Sequence, residues 1–314
     1  MWDAVVAAGY PAAWIPDSKG GIGVSIGEGL AVLRSAGEFG VPLPLAETML
    51  GGYLLSEVGM DVPPGPLAFA VVKDAALSLD RRGSDWTLKG VVQRLSGARH
   101  ATHAVLCIPA GESCHVALVP IGPDAVRPDE NLAREARDSL VLDLVVPAKQ
   151  VGRIARDALQ LQALGAAARC CQMAGALDRV LEITLDYAQN RVQFGRPLGK
   201  FQAVQQNLAV LAAQVAAAGA AADIAIEAAD DGLSIASIAA AKIRIGEAAG
   251  LAAGIAHQVH GAFGFTYEHN LHLFTKRLLA WREEFGNERH WSRWLGGRAL
   301  QGGADALWPA IVAL

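Results

Sequence analysis

Two polar stretches interrupt a strongly apolar, helix-forming sequence, and they hold the side chains whose types and spacing could do chemistry. The first runs Tyr187-Ala-Gln-Asn-Arg191-Val-Gln193-Phe194-Gly195-Arg196-Pro197-Leu-Gly199-Lys200-Phe201-Gln202-Ala-Val-Gln205. One helix is expected to end at Gly195-Arg196-Pro197 and another to begin near Phe201. In that turn Arg191 offers a bidentate cation for a diphosphate and Phe194 an aromatic face. The same residues also suit a plain interhelical turn with Arg191 in a surface ion pair, and spacing alone does not choose. The second stretch is Gln258-Val-His260-Gly261-Ala262-Phe263-Gly264-Phe265-Thr266-Tyr267-Glu268-His269, where glycine would let a ligand or another backbone come close. Its alternative is a C-capping glycine turn, with His257, His260, His269 and His272 as solvated or core imidazoles. The histidines fall at spacings of three, nine and three with no cysteine among them, which matches no common zinc site, so no metal ligands are expected.

Other motifs read as structure. Gly20-Gly21-Ile22-Gly23 follows Ile15-Pro16-Asp17-Ser18-Lys19 instead of a strand, so it predicts a turn and not a dinucleotide loop. The four cysteines, Cys107, Cys114, Cys170 and Cys171, have no ligand spacing, and the vicinal pair reads as small core residues on a helix.

The elements that must position the two stretches are legible in outline. Residues 1–63 predict a small helical domain, with helices over Ile26 to Glu38 and Leu43 to Val58. Val62-Pro63-Pro64-Gly65-Pro66 cannot continue a helix and marks a boundary. Residues 64–151 predict a middle β-domain, with strands at Phe69 to Val72, Trp86 to Leu88, Ala104 to Ile108, His115 to Val119 and Leu140 to Val146. Residues 152–314 predict a C-terminal helical bundle. A first helix covers about Ile154 to Gln189, a second puts Val204, Leu208, Leu211, Val215, Ala218, Ala222 and Ile226 on one face, and a third does the same with Ile235, Ile238, Ala241, Ile245, Ala249, Ala252 and Ile255. Their alanine and glycine faces allow close approach, which suits an antiparallel four-helix bundle extended by oligomerisation. The fold class is therefore mostly α with a central β-domain.

Composition narrows the function classes. The 314 residues include 52% hydrophobic and 18% charged, with a formal charge of -4 and no long like-charged run. That leaves no footprint for nucleic acid or an anionic membrane surface and favours small-molecule or protein partners. Gln214, Asp223, Lys242, Arg244 and Glu247 interrupt the alanine-rich stretches, so no bilayer span is expected. Asp3 stands where a secretory signal carries basic residues, and cytoplasmic localisation is expected.

In this order and separation the two polar stretches resemble the acyl-CoA dehydrogenase family, whose C-terminal helical domain carries an Arg-x-x-Phe-Gly...Phe-Gln-x-x-Gln element and a later Gln-x-x-Gly-Gly-x-Gly element. Trp14-Ile-Pro-Asp...Gly20-Gly21-x-Gly23 and the order helices, β-domain, helices extend the resemblance over nearly the whole chain, with a shortened first helical region. The resemblance implies an acyl-CoA dehydrogenase-like fold, with a helical N-terminal region, a β-barrel-like middle domain and a C-terminal four-helix bundle. It also implies FAD as cofactor, with Arg191, Phe194, Gln202, Gln258 and Gly261 contacting the adenosine diphosphate half of an FAD held mainly by a neighbouring subunit. Ala262 stands where the family has its second glycine.

Removing an α-proton from a CoA thioester while hydride leaves for the flavin requires a positioned glutamate. At the two places where the family carries it, this sequence has Phe285 and Gly165. Glu284, beside Glu283 in what reads as a charged helix face with Arg282 and Arg289, is the weak candidate for a displaced base. Where relatives carry a Thr-Glu-Pro element lining the flavin ring, the sequence reads Phe69-Ala-Val71-Val72-Lys73-Asp74-Ala. The chain thus resembles the non-catalytic subunit of the heteromeric α2β2 acyl-CoA dehydrogenases of actinobacterial steroid catabolism. That implies three partners: a related subunit carrying the base, an acyl-CoA thioester as substrate, and an electron-transfer flavoprotein as acceptor. A self-sufficient homomeric dehydrogenase using Glu284 and a non-enzymatic scaffold of the same fold stand as alternatives.

Overall fold

A computed structural model describes residues 1–72 and 76–312. The chain forms two compact units, Met1–Gly29 with Pro42–Gly165 and Leu30–Val41 with Ala166–Leu314. The helices are α1 (Trp2–Ala7), α2 (Ile26–Glu38), α3 (Leu45–Glu57), α4 (Ala158–Asn190), α5 (Gln202–Asp230), α6 (Ile235–His260), α7 (Leu271–Trp281), α8 (Glu288–Gly302) and α9 (Ala304–Val312).

The first unit holds the two larger sheets. One has the order β1-β4-β5-β8, from Leu67–Val71, His103–Pro109, Cys114–Pro120 and Val151–Ile154. The other has the order β2-β3-β7-β6, from Leu77–Arg82, Asp85–Ser96, Arg137–Val146 and Val126–Arg127. Strand alternation explains their shared core: Leu140, Leu142 and Val146 of β7 point inward to meet Leu88, Leu106 and Val119, while Val141, Asp143 and Val145 face out. Strands β2 and β8 were not among those expected. Both are edge strands, and Asp80, Arg81, Arg82 and Arg153 hide them from an apolar pattern. The glycine run does reverse the chain: Gly20 and Gly23 have φ of 80° and 71°, and the Gly23 amide donates to the Ile15 carbonyl at 2.8 Å. Of the altered β-domain segment, Lys73, Asp74 and Ala75 lie outside the described residues.

Helix α4 starts at Ala158, later than its apolar pattern suggests, because Asp157 and Gln160 form a reciprocal cap. The Gln160 amide donates to Asp157 Oδ1 at 2.8 Å, and the Asp157 amide donates to Gln160 Oε1 at 3.0 Å.

In the second unit, glycines bring helices together almost backbone to backbone. A Cβ on Gly37 would run into the Gln172 carbonyl, and one on Gly175 into the Arg34 carbonyl. Arg34 then ties α2 to Asp178 of α4 at 3.2 Å and Asp223 of α5 at 3.0 Å. Helices α5 and α6 form a hairpin and pack on each other, with Leu211, Val215, Ala218 and Ala222 of one and Ile238, Ala241, Ile245 and Ala249 of the other buried. By length and composition alone α5 is long and apolar enough to cross a bilayer, contrary to the expectation of no such run. The four free cysteines are all buried, and burial pushes the Cys170 thiol up to about 12, which leaves it unreactive at neutral pH.

Candidate functional site

Both polar stretches lie in the second unit. Helix α4 ends at Asn190, beside the expected Gln189 and short of the glycine and proline, because a small hairpin intervenes. Its strands, β9 (Val192–Gln193) and β10 (Arg196–Pro197), pair Gln193 with Arg196 and Val192 with Pro197. The connecting residues Phe194 and Gly195 both sit in the left-handed region, with φ of 53° and 79°. A two-residue hairpin with two positive φ values is of type I′, which matches strand twist. Glycine takes that conformation freely, but for Phe194 it costs on the order of 1 kcal/mol. The same side chain is 92% exposed, so a strained backbone displays a phenyl ring to solvent. The Arg191 amide is fixed to the Tyr187 carbonyl and the Leu198 amide to the Arg191 carbonyl, both at 2.9 Å.

The Arg191 side chain has no ion pair or hydrogen bond among the described residues, which removes the surface ion pair as an account of it. The side chains of Gln202, on the first turn of α5, and Gln258, on the last turn of α6, are likewise exposed and uncommitted among the described residues. Arg196 lies over the Phe201 ring at 4.1 Å, and Phe194 meets that ring edge-on at 6.2 Å.

The second stretch caps α6. Gly261 has φ of 60°, and a Cβ there would meet nothing within 4 Å, so its exposed face is open to an approaching ligand. Gln258 edges a shallow groove walled by Gly254, His257, Phe265 and Leu279. The two stretches adjoin through Tyr187 of α4, whose ring stacks on His260 at 4.3 Å and on Phe263 at 5.9 Å. Gln202 opens α5 and Gln258 lies in the last turn of α6, so the two come from separate helices.

The histidines serve structure. His257 bonds Thr275 Oγ1 at 2.8 Å, His260 Nδ1 bonds the Ala256 carbonyl at 2.7 Å, and His272 Nδ1 bonds the His269 carbonyl at 2.7 Å. Among the described residues no three His, Cys, Asp or Glu side chains converge on a metal position. Burial holds His257, His260 and His269 below the ordinary imidazole value, with neighbouring histidines adding to the effect. The unfolded chain therefore binds more protons than the folded one just below about pH 6.5, so stability is full above that value and falls as pH drops through it. Melting temperature should accordingly fall between pH 7.5 and pH 5.5, and an unchanged melt would show that these rings are not held neutral.

Glu284 lies elsewhere in the unit and is not on a charged face. It is 5% exposed, and its Oε2 accepts from Arg169 Nε at 2.7 Å and Nη2 at 2.6 Å. Arg169 also donates to Gln172 and lies 5.8 Å from the Trp281 ring and 5.9 Å from the Phe285 ring. Arg282, expected beside it, pairs with Glu288 at 2.7 Å, and exposed Glu283 accepts from Asn287 Nδ2 at 2.8 Å. Phe285 and Gly286 again form a left-handed pair, with φ of 53° and 97°. The Trp291 indole donates to the Phe285 carbonyl at 3.2 Å, and buried Lys242 donates to the carbonyls of Arg282 at 2.7 Å and Gly286 at 3.0 Å. Burial lowers the Lys242 ammonium from its ordinary value. Sequence patterns could not reveal Arg169 or Lys242 in these roles, because their partners are remote in the chain.

Comparisons with known proteins show what the chain is similar to. Residues 153–293 match the family model "Acyl-CoA dehydrogenase, C-terminal domain". The chain is 29% identical over 276 residues to "Acyl-CoA dehydrogenase IpdE2" of Mycobacterium tuberculosis, covering 86% of this chain and 76% of that one. Among solved structures it is similar to the ChsE4-ChsE5 complex from Mycobacterium tuberculosis, with a TM-score of 0.87, 23% identity and coverage of 96% and 88%. A second is the Tcur3481-Tcur3483 steroid ACAD variant, with a TM-score of 0.82, 22% identity and coverage of 96% and 88%. Residues 153–293 are thus an acyl-CoA dehydrogenase C-terminal domain, in a chain that has the helical and β-sheet fold of those structures.

Proposed function

We propose that this chain is the FAD-sharing, non-catalytic subunit of a heteromeric acyl-CoA dehydrogenase. The observation that carries the reading is a division of labour among its own side chains. Arg191, Gln202 and Gln258 are exposed with side chains uncommitted among the described residues, Phe194 and Gly261 are exposed beside them, and Glu284 is buried in an ion pair. Their chemistry suits the adenosine diphosphate half of FAD. A free guanidinium can take a diphosphate with two parallel hydrogen bonds, the amides of Gln202 and Gln258 add neutral donors, and open Gly261 admits a close approach.

Bound FAD would supply the hydride acceptor for α,β-dehydrogenation of a CoA thioester. The residues of this chain would hold and orient its nucleotide end across a subunit boundary. The α-proton would go to a carboxylate of the related subunit, since Phe285 and Gly165 bear no titratable group and Glu284 is spent on Arg169. The heteromeric structures named above support a partner of the same fold, and steroid-derived acyl groups are the substrate class that likeness suggests. An electron-transfer flavoprotein would reoxidise the flavin, in the cytoplasm. The self-sufficient alternative draws less support, because its base would have to leave a buried pair. The scaffold alternative leaves the strained display of Phe194 without a purpose.

Co-expression with a related dehydrogenase subunit tests this. The expected result is a yellow heteromer with roughly equal chains by mass, and a colourless preparation of this chain alone. A flavin-saturated homomer would contradict it.

A further inference from the structure

Building on the nucleotide-holding role proposed above, we infer that Tyr187 is the positioning residue that keeps Arg191 in register with the Gln258–Gly261 turn. Arg191 and Gln258 come from the ends of different helices, and two groups can grip one diphosphate only if their separation is fixed to a fraction of an ångström. The Arg191 side chain supplies no such fixing, as it touches no partner among the described residues. Tyr187 does. It lies one helical turn before Arg191 and its carbonyl accepts the Arg191 amide at 2.9 Å. Its ring lies at 22° to that of His260, with centroids 4.3 Å apart, and at 17° to that of Phe263. Its hydroxyl donates to the His260 carbonyl at 3.4 Å, immediately before Gly261. His260 is in turn held by the Ala256 carbonyl, and the His269 ring meets it edge-on at 4.7 Å. One side chain of α4 thus clasps the last residue of α6 from two directions. Stacked rings are rigid in separation, which is what a two-part grip needs.

Such a residue works through others and touches no ligand itself, so its signature is coupling. In the co-purified complex, Tyr187→Leu should weaken FAD retention about tenfold, and Tyr187→Phe, which keeps the stack, should stay within about twofold of the parent. Adding Tyr187→Leu to Arg191→Ala should cost little more than Arg191→Ala alone, because a displaced arginine and an absent one are equivalent. Flavin release on dilution, read by fluorescence, gives each affinity. If Arg191→Ala weakens retention while Tyr187→Leu does not, or if the two losses simply add, the positioning role falls and the holding role stands. If neither substitution matters, the holding role itself fails and takes this one with it. Should Tyr187→Leu not fold, His260→Phe decides: the aromatic replacement keeps the stack and must keep flavin retention, and a tenfold loss overturns the role.

Discussion

Glu284→Ala is expected to destabilise the helical unit by about 3–5 kcal/mol, because it leaves the guanidinium of Arg169 buried without its counter-charge. Both side chains are 4% exposed, so little solvent screening softens that cost. The residual bond from Arg169 to Gln172 and the Trp281 and Phe285 rings cannot replace a carboxylate. Glu284→Gln should cost less, since an amide oxygen still accepts from Arg169. Chemical denaturation of the two variants gives the ranking. Turnover per bound flavin in folded Glu284→Gln complex should remain close to that of the parent. A folded, flavin-replete Glu284→Gln complex with no activity would instead make Glu284 the base.

Arg191→Ala should have the opposite profile: flavin lost and stability kept. A charge-assisted hydrogen bond to a phosphate contributes roughly 1.5–3 kcal/mol, so removing this side chain should weaken FAD binding by about ten- to a hundredfold. Because the guanidinium has no partner among the described residues, the melting temperature should barely move. Arg191→Lys keeps the charge and loses the planar fork, so it should recover only part of the affinity. Measuring bound flavin and melting temperature on the same samples separates the two effects. Equal flavin content in all three proteins would remove Arg191 from the site.

These two residues also show how far sequence could go. The Arg191 stretch was legible because a polar, glycine- and proline-bearing segment between two apolar helices is rare, and its spacing matches a family element. Its hairpin was not, since a phenylalanine in the left-handed region is a tertiary outcome that no local propensity favours. Helix α2 falls on its expected bounds, Ile26–Glu38, because its apolar repeat is uninterrupted. Strand β2 escaped because its outward charges break the alternation, and α4 began late because a cap and not apolarity fixes its start. Glu284 was the hardest residue to read. Arg282 and Glu283 before it are charged, yet its partner is 115 residues away on helix α4, and only the folded bundle brings them together. Tyr187 opens the first stretch, but its stack on His260 joins residues 73 apart in sequence, and no local pattern shows it.

The central claim is that this chain holds the nucleotide while another polypeptide takes the proton. Anaerobic addition of an acyl-CoA substrate, with FAD supplied to both samples, to this chain alone and to its complex with the related subunit tests that claim most directly through the visible flavin absorption. The account predicts bleaching in the complex and none in the isolated chain. Bleaching of the isolated chain, abolished by Glu284→Gln in a folded protein, would contradict it.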